Sequence, residues 1–245
     1  MFFFTFGANP ILIAAAIIPA VWLLRYVYRA DVLEKEPKGL LFALVLRGVA
    51  ATFLAIITES LGIRLLNAIL PSYSLAYHVL MYFVVVALSE EGFKYLLLRR
   101  STWRSPEFNC RFDGVVYAVF VSLGFALWEN VGYVTEYGLG TAAVRALTAV
   151  PGHACFGVFM GAWYGMARWY ENYGEYDKSR RYRRCALLIP TLLHGCYDFI
   201  ATINSTLFGM IFVVFVILMF SVARGTVMKL SRDDRYIDND GFFRL

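Results

Sequence analysis

About seven stretches of roughly twenty mostly apolar residues divide this chain, each bounded by charge, and a run of that length crosses the hydrocarbon core of a bilayer as a helix. They are residues 4–24, 39–63, 75–98, 113–134, 141–167, 185–203 and 206–223. A transmembrane barrel needs shorter segments in which apolar and polar residues alternate, and runs such as Ile211 to Phe220 do not alternate. Composition agrees with helices. Of the 245 residues 60% are apolar and 17% charged, against about 45–50% and about 25% in soluble domains. That excludes an ordinary soluble enzyme, and the 17% of aromatic residues excludes a disordered chain. The expected fold is an all-α polytopic membrane protein, one integral membrane domain over residues 1–245, with the lipid bilayer as its first partner.

Most of the 23 Lys and Arg residues fall in alternate loops. Arg25, Arg29, Lys35 and Lys38 follow the first span; Arg99, Arg100, Arg104 and Arg111 follow the third. Arg168, Lys178, Arg180, Arg181, Arg183 and Arg184 follow the fifth, and Arg224, Lys229, Arg232, Arg235 and Arg244 lie in the tail. The opposite loops hold only Arg64. Cytoplasmic loops collect Lys and Arg, so the N-terminus is expected outside and the C-terminus in the cytoplasm, which requires an odd number of spans. The net charge of +5 follows from this bias and gives no reason to expect a nucleic-acid partner. The first span lacks the positive leading segment of a signal peptide and reads as a retained anchor. The longest loop, near Glu171 to Arg184, is too short for a soluble domain. Cys110, Cys155, Cys185 and Cys196 show no CxxC spacing and read as packing residues.

The informative residues are the ionisable ones inside the spans, because each costs about 2.5–3.5 kcal/mol at a helix centre. Arg47 and Glu59 lie in the second span, Glu90, Glu91 and Lys94 in the third, and Glu129 beside Asn130 in the fourth. Arg145 and His153 lie in the fifth, His194 and Asp198 in the sixth. Together they imply a polar interior reached by water. Lys94 is placed at i+4 from Glu90 and i+3 from Glu91, so it can pair with either on one helix face. Arg47 or Arg145 could serve as a further cation there. Asp198 is one turn from His194 and can orient that ring. Water attack on an amide needs a base, a donor for the oxyanion and a proton for the leaving nitrogen, all of which this set contains. Counting helical rise from the charged boundaries puts Glu90 about 13 Å and His194 about 15 Å deep, against about 22 Å for His153 and about 24 Å for Glu129. Helix tilt and uncertain span ends shift such depths by a turn or more, so convergence of all four stays open; if they do not converge, Glu129 is the one expected to stand apart, and both a catalytic and a clamping role remain open for it.

Taken in order, Glu90-Glu91-x-x-Lys94, Phe125-x-x-x-Glu129-Asn130, His153-x-x-x-Gly157 and His194-x-x-x-Asp198 resemble the PrsW family of bacterial intramembrane proteases. That family looks distantly related to the CAAX-prenyl endopeptidases and to the scaffold subunit of gamma-secretase. The loop from Asp31 to Pro37 is similar to the acidic, proline-ended first cytoplasmic loop of the family. The resemblance implies a glutamate-type endopeptidase in a bacterial cell membrane. In it Glu90 would activate water, Glu91 would support it electrostatically, and His153 and His194 would polarise the scissile carbonyl. Asp198 would orient His194, with Lys94, Glu129 and Asn130 in support. The prenyl endopeptidases carry histidine and asparagine where this chain has Glu129 and Asp198. Family substrates are single-span anti-sigma factors, cut in the first step of a stress response. The resemblance requires no cofactor beyond the catalytic water.

Other chemistries compete. There is no GxSxG context and no pair of aspartates of the intramembrane aspartyl type. A divalent metal such as zinc could be held by His153, His194 and Glu90 with one position open, although the HExxH signature is absent. A proton-coupled transporter or channel also uses midplane carboxylates and histidines, and a non-catalytic scaffold would use them to pack helices.

Overall fold

The computed structural model describes residues 10–237. The helices are α1 (Pro10–Ala30), α2 (Lys38–Ile69), α3 (Leu75–Leu80), α4 (Leu88–Thr102), α5 (Asp113–Tyr137), α6 (Leu139–Leu147), α7 (Ala149–Asn172), α8 (Tyr176–Thr202) and α9 (Thr206–Arg232). A π-helical segment, Met81–Ala87, joins α3 to α4. Six helical stretches among the described residues are long and apolar enough to cross a membrane, α6 and α7 counting as one. The expected span at 75–98 is present as the stack of α3, π segment and α4, but its π turn and its charged residues separate it from those six. The start of the expected first span, residues 4–9, lies outside the described residues.

Helix α5 is the axis of the bundle. Its apolar stretch is 83% buried within the protein, against 17% for α9, and it packs on α1, α2, α4, α6 and α7. Ile57, Leu61, Val213, Ile217 and Val222 are exposed on the outer helices, which suits a lipid-facing rim. Paired glycines bring the inner helices close. A Cβ at Gly124 would lie 2.2 Å from the Val45 carbonyl oxygen, and one at Gly161 would lie 2.4 Å from that of Gly114. Backbone cannot yield as a side-chain tip can, so Gly124→Ala is expected to destabilise the fold by about 1–3 kcal/mol. A lowered thermal midpoint in detergent would register it; an unchanged midpoint would show that α2 and α5 can separate freely.

The expected loop from Glu171 to Arg184 is instead largely helical. Helix α7 continues to Asn172, and α8 starts at Tyr176. Charged residues at helical spacing carry the helix past the apolar boundary, as in the i, i+3 pairs Lys178–Glu175 at 2.6 Å and Arg180–Asp177 at 2.5 Å.

At the same arginine-rich end the acidic loop between α1 and α2 folds inward. Asp31 and Glu36 are buried. They sit near Asp113 and near Asp234 of the segment after α9. That segment is docked: Asp234 accepts from the Phe112 amide at 2.9 Å, and Cys110 and Tyr236 form an antiparallel bridge. Burial pushes the Asp31 carboxyl up to about 6, partly opposed by Lys35. It pushes Glu36 up to about 7, against the opposing effect of neighbouring Tyr117 and Asp113. A carboxyl whose folded pKa exceeds its unfolded value favours the fold while protonated. That contribution is complete below the ordinary values of 3.8 and 4.5 and is lost as pH rises through about 6 and 7. The thermal midpoint is therefore expected to fall between pH 5 and 8, and Glu36→Gln to flatten the fall; parallel curves for the two proteins would contradict it.

Candidate active site

Helix α4 begins directly after the π segment and carries Glu90 and Glu91 in its first turn. π turns recur at functional sites because the extra residue re-aims the side chains that follow. Helical spacing then brings Lys94 back over both carboxylates. Its Nζ lies 3.1 Å from Glu90 Oε2 and 2.8 Å from Glu91 Oε1. Its third contact crosses to α7, where His153 Nδ1 is 3.1 Å away. An ammonium only donates, so His153 accepts at Nδ1 and its proton sits on Nε2. That nitrogen is 2.9 Å from Glu129 Oε2.

Glu129 is in turn 2.7 Å from Arg145 Nη2. Arg145 Nε donates to Asn130 Oδ1 at 2.9 Å, and Asn130 Nδ2 donates to the Ala16 carbonyl at 2.9 Å. On the other side, His194 Nδ1 faces Glu91 Oε1 at 3.0 Å and His194 Nε2 faces Asp198 Oδ2 at 3.3 Å. The His194 ring is stacked on Phe156, with centroids 4.7 Å apart, and lies 5.4 Å from the ring of His153. One chain of polar contacts thus runs from Asp198 through His194, Glu91, Lys94, His153 and Glu129 to Arg145. It ties together α4, α5, α6, α7 and α8. Such networks hold their members in fixed orientations when each donor has an acceptor.

A cavity of about 560 Å³ opens along this chain. Glu90, Glu129, Arg145, His153, His194 and Asp198 line it, together with Glu59 and Trp128. Glu90 therefore faces the cavity, whereas Glu91 is 0% exposed and turned into the protein. Carboxylate, imidazole and guanidinium groups converge on one space where a water and a carbonyl can be held.

The structure brings Glu90, Glu91, Lys94, His153, His194, Asp198 and Glu129 into one cluster. Glu129 joins the cluster, so the greater depths counted for it and for His153 do not separate them from Glu90 and His194. That count assumed that charge marks a common membrane level, but α7 and α8 run on beyond it. Arg145 serves Glu129 rather than the glutamates of α4. Arg47 is exposed on α2 and does not line the cavity. Asn130 does not line it either; it clamps α5 to α1 and to Arg145. Glu59 does line it, and its Oε1 is buried without a hydrogen-bond partner among the described residues. Its charge in a largely apolar span marked it in the sequence, but nothing there showed which way it points.

Metal binding has a definite candidate. Ligand atoms of Glu90, Glu91 and His153 lie within 4.8 Å of one another, and no other described group of this kind is present. The donor types suit zinc. Their common centre, however, is where Lys94 Nζ makes its three contacts. The alternative set with His194 is no better placed, since both nitrogens of that ring already face carboxylates. As arranged, the ammonium of Lys94 stands among the atoms that would hold such an ion.

A family model described as PrsW family intramembrane metalloprotease matches residues 36–223. Protease PrsW of Halalkalibacterium halodurans is 32% identical over 224 residues, covering 91% of this chain and 99% of that protein. Protease PrsW of Bacillus subtilis is 34% identical over 196 residues, 79% of this chain and 84% of that protein. Protease PrsW of Geobacillus kaustophilus is 35% identical over 190 residues, 77% and 79% of the two chains. No solved structure matches this chain.

Proposed function

The chain belongs to the PrsW family of intramembrane proteases, and from that premise we propose that Glu90 activates the water that cuts a membrane-anchored protein, with a single-span anti-sigma factor as the natural substrate. The observation that carries this reading is the difference between two adjacent carboxylates. Glu90 faces the cavity, while Glu91 is buried between Lys94 and His194. A base must touch water, and its partner must stay fixed.

In this reading a water in the cavity gives a proton to Glu90 as its oxygen bonds to the scissile carbonyl carbon. Charge then develops on the carbonyl oxygen. His194 Nε2 can donate to it in place of Asp198, whose 3.3 Å contact is the longest step of the polar chain on that side. Arg145 lines the same space and adds positive potential. Glu90 next returns its proton to the departing nitrogen, which restores the carboxylate. His153 is held by Lys94 and Glu129 and keeps the two halves of the cluster in register.

The test is cleavage in liposomes of a single-span anti-sigma substrate by wild type, Glu90→Ala and His194→Ala. Cleavage by wild type and its loss in both variants is the expected result. A proton flux that depends on Glu90 and His194, with no cleavage, would replace the protease by a proton-coupled transporter. Equal cleavage by all three proteins would keep the protease and discard this site.

A further inference from the structure

We propose that the ammonium of Lys94 is the resident cation of this site and takes the place of a divalent metal. The inference rests on the reading of the cluster as the hydrolytic centre, and its physical basis is the surroundings of one atom. Lys94 Nζ lies 3.1, 2.8 and 3.1 Å from Glu90 Oε2, Glu91 Oε1 and His153 Nδ1. Those residues are the described group whose spacing would suit a metal. An ammonium has three N–H groups, and here each has its own acceptor.

The fourth bond of the nitrogen is to its own Cε, and the Phe125 ring lies against the ammonium with its centroid 3.9 Å away. An aromatic face attracts an ammonium but has no lone pair with which to complete a metal's coordination. Lys94 is 0% exposed. A buried cation is tolerated when paired and hydrogen-bonded on all sides, as this one is. A metal ion at the same point would stand against the ammonium and would take away the three acceptors that keep it buried.

Lys94 is thus a positioning residue. It sets one positive charge between the two carboxylates that α4 places side by side, fixes the proton of His153 on Nε2, and leaves Glu90 facing the cavity. No bond to Lys94 forms or breaks. The sequence encodes its own counter-ion at i+3 and i+4, and all three acceptors of that ammonium are in place once α4 meets α7.

Zinc content decides the matter. Wild type, Lys94→Met and Lys94→Arg are purified, stripped with chelator, incubated with zinc alone and dialysed, and bound zinc is counted by elemental mass spectrometry. Wild type and Lys94→Arg are expected to stay sub-stoichiometric, and wild type to cleave equally well with chelator present. Lys94→Met is expected to take up about one zinc ion per chain, because two carboxylates and an imidazole are left without a cation. Adding Glu91→Gln to Lys94→Met should abolish that uptake. Wild type that carries one zinc per chain, and loses cleavage with it until zinc is restored, overturns the proposal. So does uptake by Lys94→Met no greater than that of wild type. If Lys94→Met does not fold, wild type and Lys94→Arg decide alone: zinc at one per chain in either refutes the assignment. The two readings fail separately. Absent cleavage with the expected zinc counts removes the protease and leaves the internal cation, whereas zinc-dependent cleavage does the reverse.

Discussion

Glu90→Gln is expected to lower turnover by about 10²–10⁴-fold, the usual worth of a general base, with a smaller loss of stability than Glu91→Gln, because Glu90 faces the cavity and a glutamine oxygen there can still accept from Lys94. The neighbouring Glu91→Gln should behave differently. Glu91 is fully buried between Lys94 and His194. Its neutralisation leaves both groups facing an amide, and breaking a buried pair of this kind costs about 3–5 kcal/mol. Stability and turnover should therefore fall together in Glu91→Gln but separate in Glu90→Gln. Turnover and melting curves on the two purified proteins compare them directly. Equal turnover in Glu90→Gln and wild type would place the base elsewhere, and Glu59, which also lines the cavity, would be the next to replace.

The second large effect concerns Arg145. It holds Glu129 at 2.7 Å and Asn130 at 2.9 Å, and its guanidinium lies 4.0 Å over the Tyr133 ring. Arg145→Met leaves Glu129 ionised, with His153 as its remaining partner. Loss of one member of a fully buried pair costs about 3–5 kcal/mol, and the lower end applies here because both side chains are partly open to the cavity. Adding Glu129→Gln removes the stranded charge and should recover much of the loss. A double variant no more stable than Arg145→Met would mean that Arg145 acts through packing on Tyr133 rather than through its charge. Turnover would not be recovered with stability, since the cavity would still lack the guanidinium.

These two cases show what could be read from residues alone. The Glu90–Lys94 and Glu91–Lys94 pairs lie within one helix, and i, i+3 and i, i+4 spacing determines them wherever the helix sits. The same holds for His194 and Asp198. The link between Lys94 and His153, and the link from His153 to Glu129, join different helices at 3.1 and 2.9 Å. No spacing along the chain contains those distances. The depth count left the place of Glu129 open for this reason: helical rise is local, whereas level depends on tilt and on where each helix ends.

The acidic loop makes the same distinction. Its carboxylates suggest a solvated turn, yet Asp31 and Glu36 are buried against the start of α5 and the segment after α9. Contacts between elements so distant in the chain are set by docking, not by composition.

Sequence by itself determined that this chain is helical and membrane-spanning, which residues are exceptions to its hydrophobicity, and which family carries those exceptions in the same order. The first two follow from transfer free energy and from spacing within one helix, and the third rests on the resemblance of four short motifs. Tertiary structure alone decided that Lys94 stands at the centre of the cluster, that Glu129 belongs to it, that Glu90 rather than Glu91 meets the cavity, and that Arg47 lies outside it. The physical reason is the close approach of helices across glycines such as Gly124 and Gly161. That approach brings side chains from different helices within hydrogen-bonding reach.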